Sequence, residues 1–131
     1  MAHIKRKTGG TMKEKIKEAV MKVMGEKTGV SFVELEWELE RQEIPYKGTY
    51  SVCIPSNPNV IMWSNMSDEY AEAIKELIFE DKQIIPEQAP IMVYLMDGRA
   101  LSYPLAKKLG YQYQSERWLP VVFNKGDLFE L

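Results

Sequence analysis

Cysteine and histidine are almost missing from this 131-residue chain: it has one of each, Cys53 and His3. One thiol cannot close an intramolecular disulfide, and one imidazole cannot build a Cys/His zinc site, so stapled secreted scaffolds and zinc modules are excluded. No window approaches the eighteen or so uninterrupted apolar residues of a membrane span, because Pro86, Pro90 and Asp97 cut the longest candidates. The basic start at Lys5, Arg6 and Lys7 has no signal-peptide apolar run behind it, so cytoplasmic placement without membrane contact is expected. Repeats and low-complexity stretches are absent. So are the frames that nucleophilic or phosphate chemistry uses: no Gly-x-Ser-x-Gly turn and no Gly-x-x-x-x-Gly-Lys loop occurs. The residues alone therefore predict a non-enzymatic protein with no catalytic residue, no metal ligand and no cofactor.

What is present is an average globular composition, 45% hydrophobic, 11% aromatic and 27% charged, at a length that suits one domain. The net charge is only −2, but it is unevenly spread. Residues 1–30 carry eight Lys/Arg against three Glu, whereas residues 68–96 carry seven acids against two Lys. Such asymmetry allows an anionic partner at one end, although a solvated face explains it equally well.

Thr11-Met12-Lys13-Glu14 has the form of a capping box, and Ile16, Ala19, Val20, Val23 and Met24 follow at spacings of three and four, so a first helix is expected there. Ser31-Phe32-Val33-Glu34 repeats the box and predicts a second helix over 31–42, with Phe32, Leu35 and Leu39 inward and Glu34, Glu36, Glu38 and Glu40 outward. Residues 50–54 and 60–63 predict a hairpin around a Pro/Asn-rich turn. Ser67 followed by Asp68 and Glu69 opens a third helix to about residue 81, its stripe being Tyr70, Ala73, Ile74, Leu77 and Ile78. Residues 84–85 and 91–96 predict a second hairpin, Asp97-Gly98 a turn into a strand at 99–101, residues 104–109 a short helix, and residues 119–123 a strand kept at an edge by Pro120.

Two helices, then a third helix followed by two strands joined by a polar loop, resembles the winged-helix variety of helix-turn-helix domains. The carrying residues are Val30-Ser31-Phe32-Val33-Glu34-Leu35 and the stretch 70–95, with an extra hairpin before the third helix. The resemblance implies an α+β fold: a winged-helix-like core of three helices with β-hairpins over 11–96, a flexible basic arm at 1–10, and a C-terminal strand and short-helix extension packed on the core over 97–131. It also implies a DNA-binding transcription regulator. Because Glu72, Glu76 and Glu80 would repel phosphate from the third helix, DNA would have to meet Lys5, Arg6, Lys7, Lys13 and Lys17 in the arm and first helix, and Lys107, Lys108 and Arg117 in the tail. The alternative is a protein-interaction module, in which Glu72, Glu76, Glu80 and Trp118 meet a basic protein partner. A homo-oligomer is compatible with either.

Overall fold

The computed structural model describes residues 11–108 and 110–129. The basic arm at 1–10 lies outside the described residues. The fold is α+β, with four helices and two three-stranded sheets among the described residues. Thr11 caps α1 (Met12–Glu26) by accepting the Glu14 N–H at 3.2 Å, and the α1 stripe of Ile16, Ala19, Val20, Val23 and Met24 is buried as its spacing predicts. Gly29, at φ 63°, turns the chain into β1 (Val30–Ser31). Both halves of the second capping box form: Ser31 Oγ accepts from Glu34 N–H at 3.2 Å and Glu34 Oε1 from Ser31 N–H at 3.0 Å, which starts α2 (Phe32–Arg41).

The first hairpin is antiparallel, β2 (Lys47–Ile54) against β3 (Asn57–Met66). Lys47 and Tyr50 both face Met66, so the residues between them bulge out of the ladder. Gly48 is needed there, because a Cβ would sit 2.5 Å from the Met66 carbonyl oxygen. Ser67 caps α3 (Asp68–Lys75), which continues through a wider π turn over Glu76–Glu80. Leu35, Ile74, Leu77 and Ile78 are buried, and Val93 packs on that core only in part.

Beyond Asp81 several expectations are corrected. β4 (Ile84–Gln88) forms, but residues 91–96 are not its partner. Pro90 opens a turn there, Leu95 N–H reaches Ile91 C=O at 3.0 Å, and Met92–Leu95 becomes the short helix α4. Gly98, at φ 66°, ends that helix by donating to Leu95 C=O instead of turning a hairpin, and residues 99–101 are not a strand. Residues 104–108 are extended rather than helical, held to β5 (Arg117–Trp118) by a bridge from Leu105. The partner of β4 is β6 (Val121–Lys125), in antiparallel register from Ile84 opposite Lys125 to Gln88 opposite Val121. Pro120 does not force β6 to an edge, because it precedes the strand; β6 is the middle strand of the order β1-β6-β4. The second sheet runs β2-β3-β5, with β5 parallel to β3.

The C-terminal segment is therefore part of the core. Trp118, Val121 and Phe123 are at most 1% exposed. Phe32 stacks on Trp63 at 5.3 Å and meets Phe123 of β6 edge-on at 5.0 Å, Trp63 meets Tyr94 at 5.1 Å, and Tyr94 meets Trp118 at 5.3 Å, an aromatic column joining both sheets to α2 and α4. Among the described residues no helix is long and apolar enough to cross a membrane.

Candidate functional site

The run Glu34-Leu35-Glu36-Trp37-Glu38-Leu39-Glu40 reads as a solvated acidic face, but one of its carboxylates points inward. Glu36 lies four residues after Phe32 and three before Leu39, and on a helix that places all three on one side. It is 2% exposed, so the expectation that Glu36 faces solvent is corrected, and Trp37 takes the outward position. Burying a carboxylate requires compensation. Trp63, on β3, donates its indole N–H to Glu36 Oε2 at 2.7 Å, and Arg99 donates from Nη2 to Oε1. The Arg99 guanidinium also lies 6.0 Å from the Trp63 ring centroid.

A cavity of about 460 Å³ opens beside this pair, lined among others by Tyr46, Ser64, Asn65 and Arg99. Three backbone features shape it. Asn65 adopts φ 59° within β3, Gly48 lets the bulge of β2 approach Met66, and Gly98 ends α4 immediately before Arg99. Ser64 is buried, with its hydroxyl 2.9 Å from Ser51 Oγ.

Electrostatics favour the charged form of Arg99. Burial opposes the Arg99 cation, but the hydrogen bond and charge of Glu36 outweigh it and raise its pKa. Tyr46 is pushed up to about 12, by burial first and then by the bond it donates to Glu40 at 2.8 Å. Tyr70 is fully buried beside Glu36, and burial followed by the Glu36 charge holds its pKa well above the ordinary value. With the Arg99 side chain 36% exposed, the arrangement offers a cationic donor fork, braced from behind, to a cavity also lined by hydroxyl and amide groups. That combination suits a small anion. Among the described residues, no group of three His, Cys, Asp or Glu is placed to hold a metal ion.

The residues singled out from sequence lie elsewhere. Lys5, Arg6 and Lys7 fall outside the described residues. Lys13 and Lys17 converge on Glu76, each at 2.5 Å, and Lys17 also reaches Asp81 at 3.2 Å, so they tie α1 to the end of the third helix instead of offering free charge. Glu72 pairs with Lys75 at 2.9 Å, while Glu80 is exposed on a separate groove. Lys107 and Lys108 are exposed and donate their backbone N–H groups to Tyr113 Oη at 2.9 Å each, and Arg117 stacks over the same ring at 4.8 Å. Trp118 is corrected as a partner contact: it is 0% exposed and donates its indole N–H to Met62 C=O at 3.2 Å. Sequence reasoning did not single out Arg99, Ser64 or Asn65 for this site.

Among curated proteins the chain matches cyanate hydratases: that of Albidiferax ferrireducens at 33% identity, and those of Variovorax paradoxus and a Polaromonas species at 35%. Each match covers 60 residues, 46% of this chain and 39% of the relative, so the chain spans about two fifths of the length of the curated relatives it matches. No family model matches, and no solved structure does. The likeness is to enzymes. It overturns the expectation of a non-enzymatic regulatory domain, whether a DNA-binding transcription regulator or a protein-interaction module.

Proposed function

We propose that this chain has an enzymatic activity of the cyanate-hydratase kind, acting on a small linear monoanion in the cavity beside Glu36 and Arg99. The observation that carries the proposal is the 60-residue likeness to cyanate hydratases of three bacteria. Adding water to cyanate forms a C–O bond at the central carbon and moves both water protons to nitrogen, giving carbamate. Such a step gains from a fixed cation that holds the anion and from polar groups that orient water. Arg99 is the cation in this proposal, Glu36 and Trp63 are positioning residues that fix its place, and Ser64 and Asn65 supply polar contacts. The scaffold that holds them is proposed to be winged-helix-like, with β6 in place of residues 91–96 as the strand after the wing. Cytoplasmic placement and self-association belong to the same proposal: the lone Cys53 thiol suits a reducing compartment, and the exposed Met92, Leu95 and Met96 form an apolar patch that a second copy can cover.

The test is to incubate the purified protein with carbon-13-labelled cyanate and follow its signal. Faster loss than in buffer, saturating with cyanate, supports the proposal. Loss at the buffer rate at every concentration refutes it.

A further inference from the structure

Three charged residues line the cavity among the described residues: Glu36, Arg99 and Lys47. Glu36 and Arg99 are an ion pair, so to an approaching anion their charges largely cancel, the carboxylate repelling what the guanidinium attracts. The pair is suited to orienting an anion rather than to recruiting one. The charge left over is the ammonium of Lys47.

Lys47 begins β2 at a fixed place on the cavity wall. It stands opposite Met66, the neighbour of Asn65, and the chain after it is pressed against β3 at Gly48, where a Cβ would lie 2.5 Å from the Met66 carbonyl oxygen and 2.8 Å from the Ser67 Cα. The ammonium lies 5.9 Å from the centroid of the Tyr46 ring, which lines the same cavity. That ring is anchored in turn by its hydroxyl bond to Glu40 and by its edge contact with Tyr70 at 6.1 Å. Glu40 and Glu43 lie along a neighbouring groove that Lys47 also lines, but neither closes an ion pair with it among the described residues. Lys47 is thus an exposed cation, held at the cavity by an aromatic ring and not by a carboxylate.

We propose that Lys47 is the recruiting cation of the anion site: it gives the cavity its net positive charge, draws a small monoanion in and helps to hold it beside Arg99. The two cations then have different tasks. Arg99, braced by Glu36, orients the anion and meets the charge that develops during reaction, whereas Lys47 raises occupancy and acts equally before and during the chemical step. The inference rests on the anion site proposed above.

Azide, a linear monoanion that does not undergo hydration, is the probe, with affinity measured by calorimetry and cyanate turnover as a second readout. Lys47→Gln should weaken azide binding about fivefold, and Lys47→Arg, which keeps the charge, should stay within about twofold of the parent. Lys15→Gln removes the same charge from an exposed position outside the cavity lining and should also stay within about twofold. In turnover, Lys47→Gln should raise KM about fivefold and change kcat by less than about twofold. Equal azide affinity in the parent and Lys47→Gln would overturn the role of Lys47 while leaving the anion site standing. So would an equal loss in Lys15→Gln, which would make the effect one of overall charge, or a fall in kcat with KM unchanged. Failure of the parent to bind azide or cyanate at all would overturn both the site and this inference.

Discussion

Glu36 and Trp63 are joined at 2.7 Å, carboxylate oxygen to indole nitrogen, across the interface between α2 and the first hairpin. The bond makes a glutamate from an acidic run into an internal fixture. Because Trp63 also stacks on Phe32 and touches Tyr94, the carboxylate is held against the aromatic column, and Arg99 is held against the carboxylate. The candidate site and the core therefore share residues, so stability and function must be measured together on every variant.

Glu36→Ala should be among the more damaging single changes. It leaves the Trp63 N–H buried without an acceptor and Arg99 without its counter-charge, which together cost about 2–4 kcal/mol, reduced from the fully buried case because Arg99 is partly exposed. Urea unfolding checks this. A change under about 0.5 kcal/mol, the range of an ordinary surface substitution, would show that Glu36 is no fixture.

Ile74→Ala should cost about 2–5 kcal/mol, since Ile74 is 0% exposed and its removal empties a packed site. An unchanged thermal midpoint would refute its place in the core.

The acids of the third helix should separate from one another. Glu76 is only 19% exposed and holds both Lys13 and Lys17, so Glu76→Gln should lower stability by about 1 kcal/mol after allowance for solvent screening. Glu72→Gln and Glu80→Gln should stay within about 0.5 kcal/mol, because the Glu72 side chain is 46% exposed and Glu80 is exposed. Equal midpoints for all three variants would contradict the bridge between α1 and the third helix.

Glu38 gives a pH signature. Hydrogen bonds from Arg41 and then Gln42 lower its pKa from 4.5 to about 2. A carboxylate with a depressed folded-state pKa adds stability that is present above its unfolded value and is lost as pH falls through the folded one. The loss should therefore fall between about pH 4.5 and about pH 2, and Glu38→Gln should flatten that part of the curve. Identical acid limbs for parent and variant would contradict the assignment.

Local signals carried the first two thirds of the fold. The hydroxyl caps at Thr11, Ser31 and Ser67 and the apolar spacings behind them are each complete within one short stretch of chain, so the three long helices and the first hairpin are legible from sequence. Where pairing depends on distant chain, the sequence misleads. Residues 91–96 have β-branched and aromatic character but sit behind Pro90, and their place beside β4 is taken by residues about thirty positions further on. The site was hidden for the same reason. Glu36, Trp63 and Arg99 come from three separate segments, and only the spacing of Glu36 from Phe32 and Leu39 signalled that it points inward.

The decisive measurement compares the parent with Arg99→Gln in cyanate turnover, at matched folded fractions. Holding the anion and its developing charge is the task assigned to Arg99, so its loss should lower kcat/KM by about a hundredfold or more, beyond any loss of folded protein that leaving Glu36 without its counter-charge causes. Azide should compete in the parent and not in the variant. Turnover in the parent that is unchanged by Arg99→Gln would place the chemistry elsewhere in the chain, and no turnover in the parent would contradict the account at its centre.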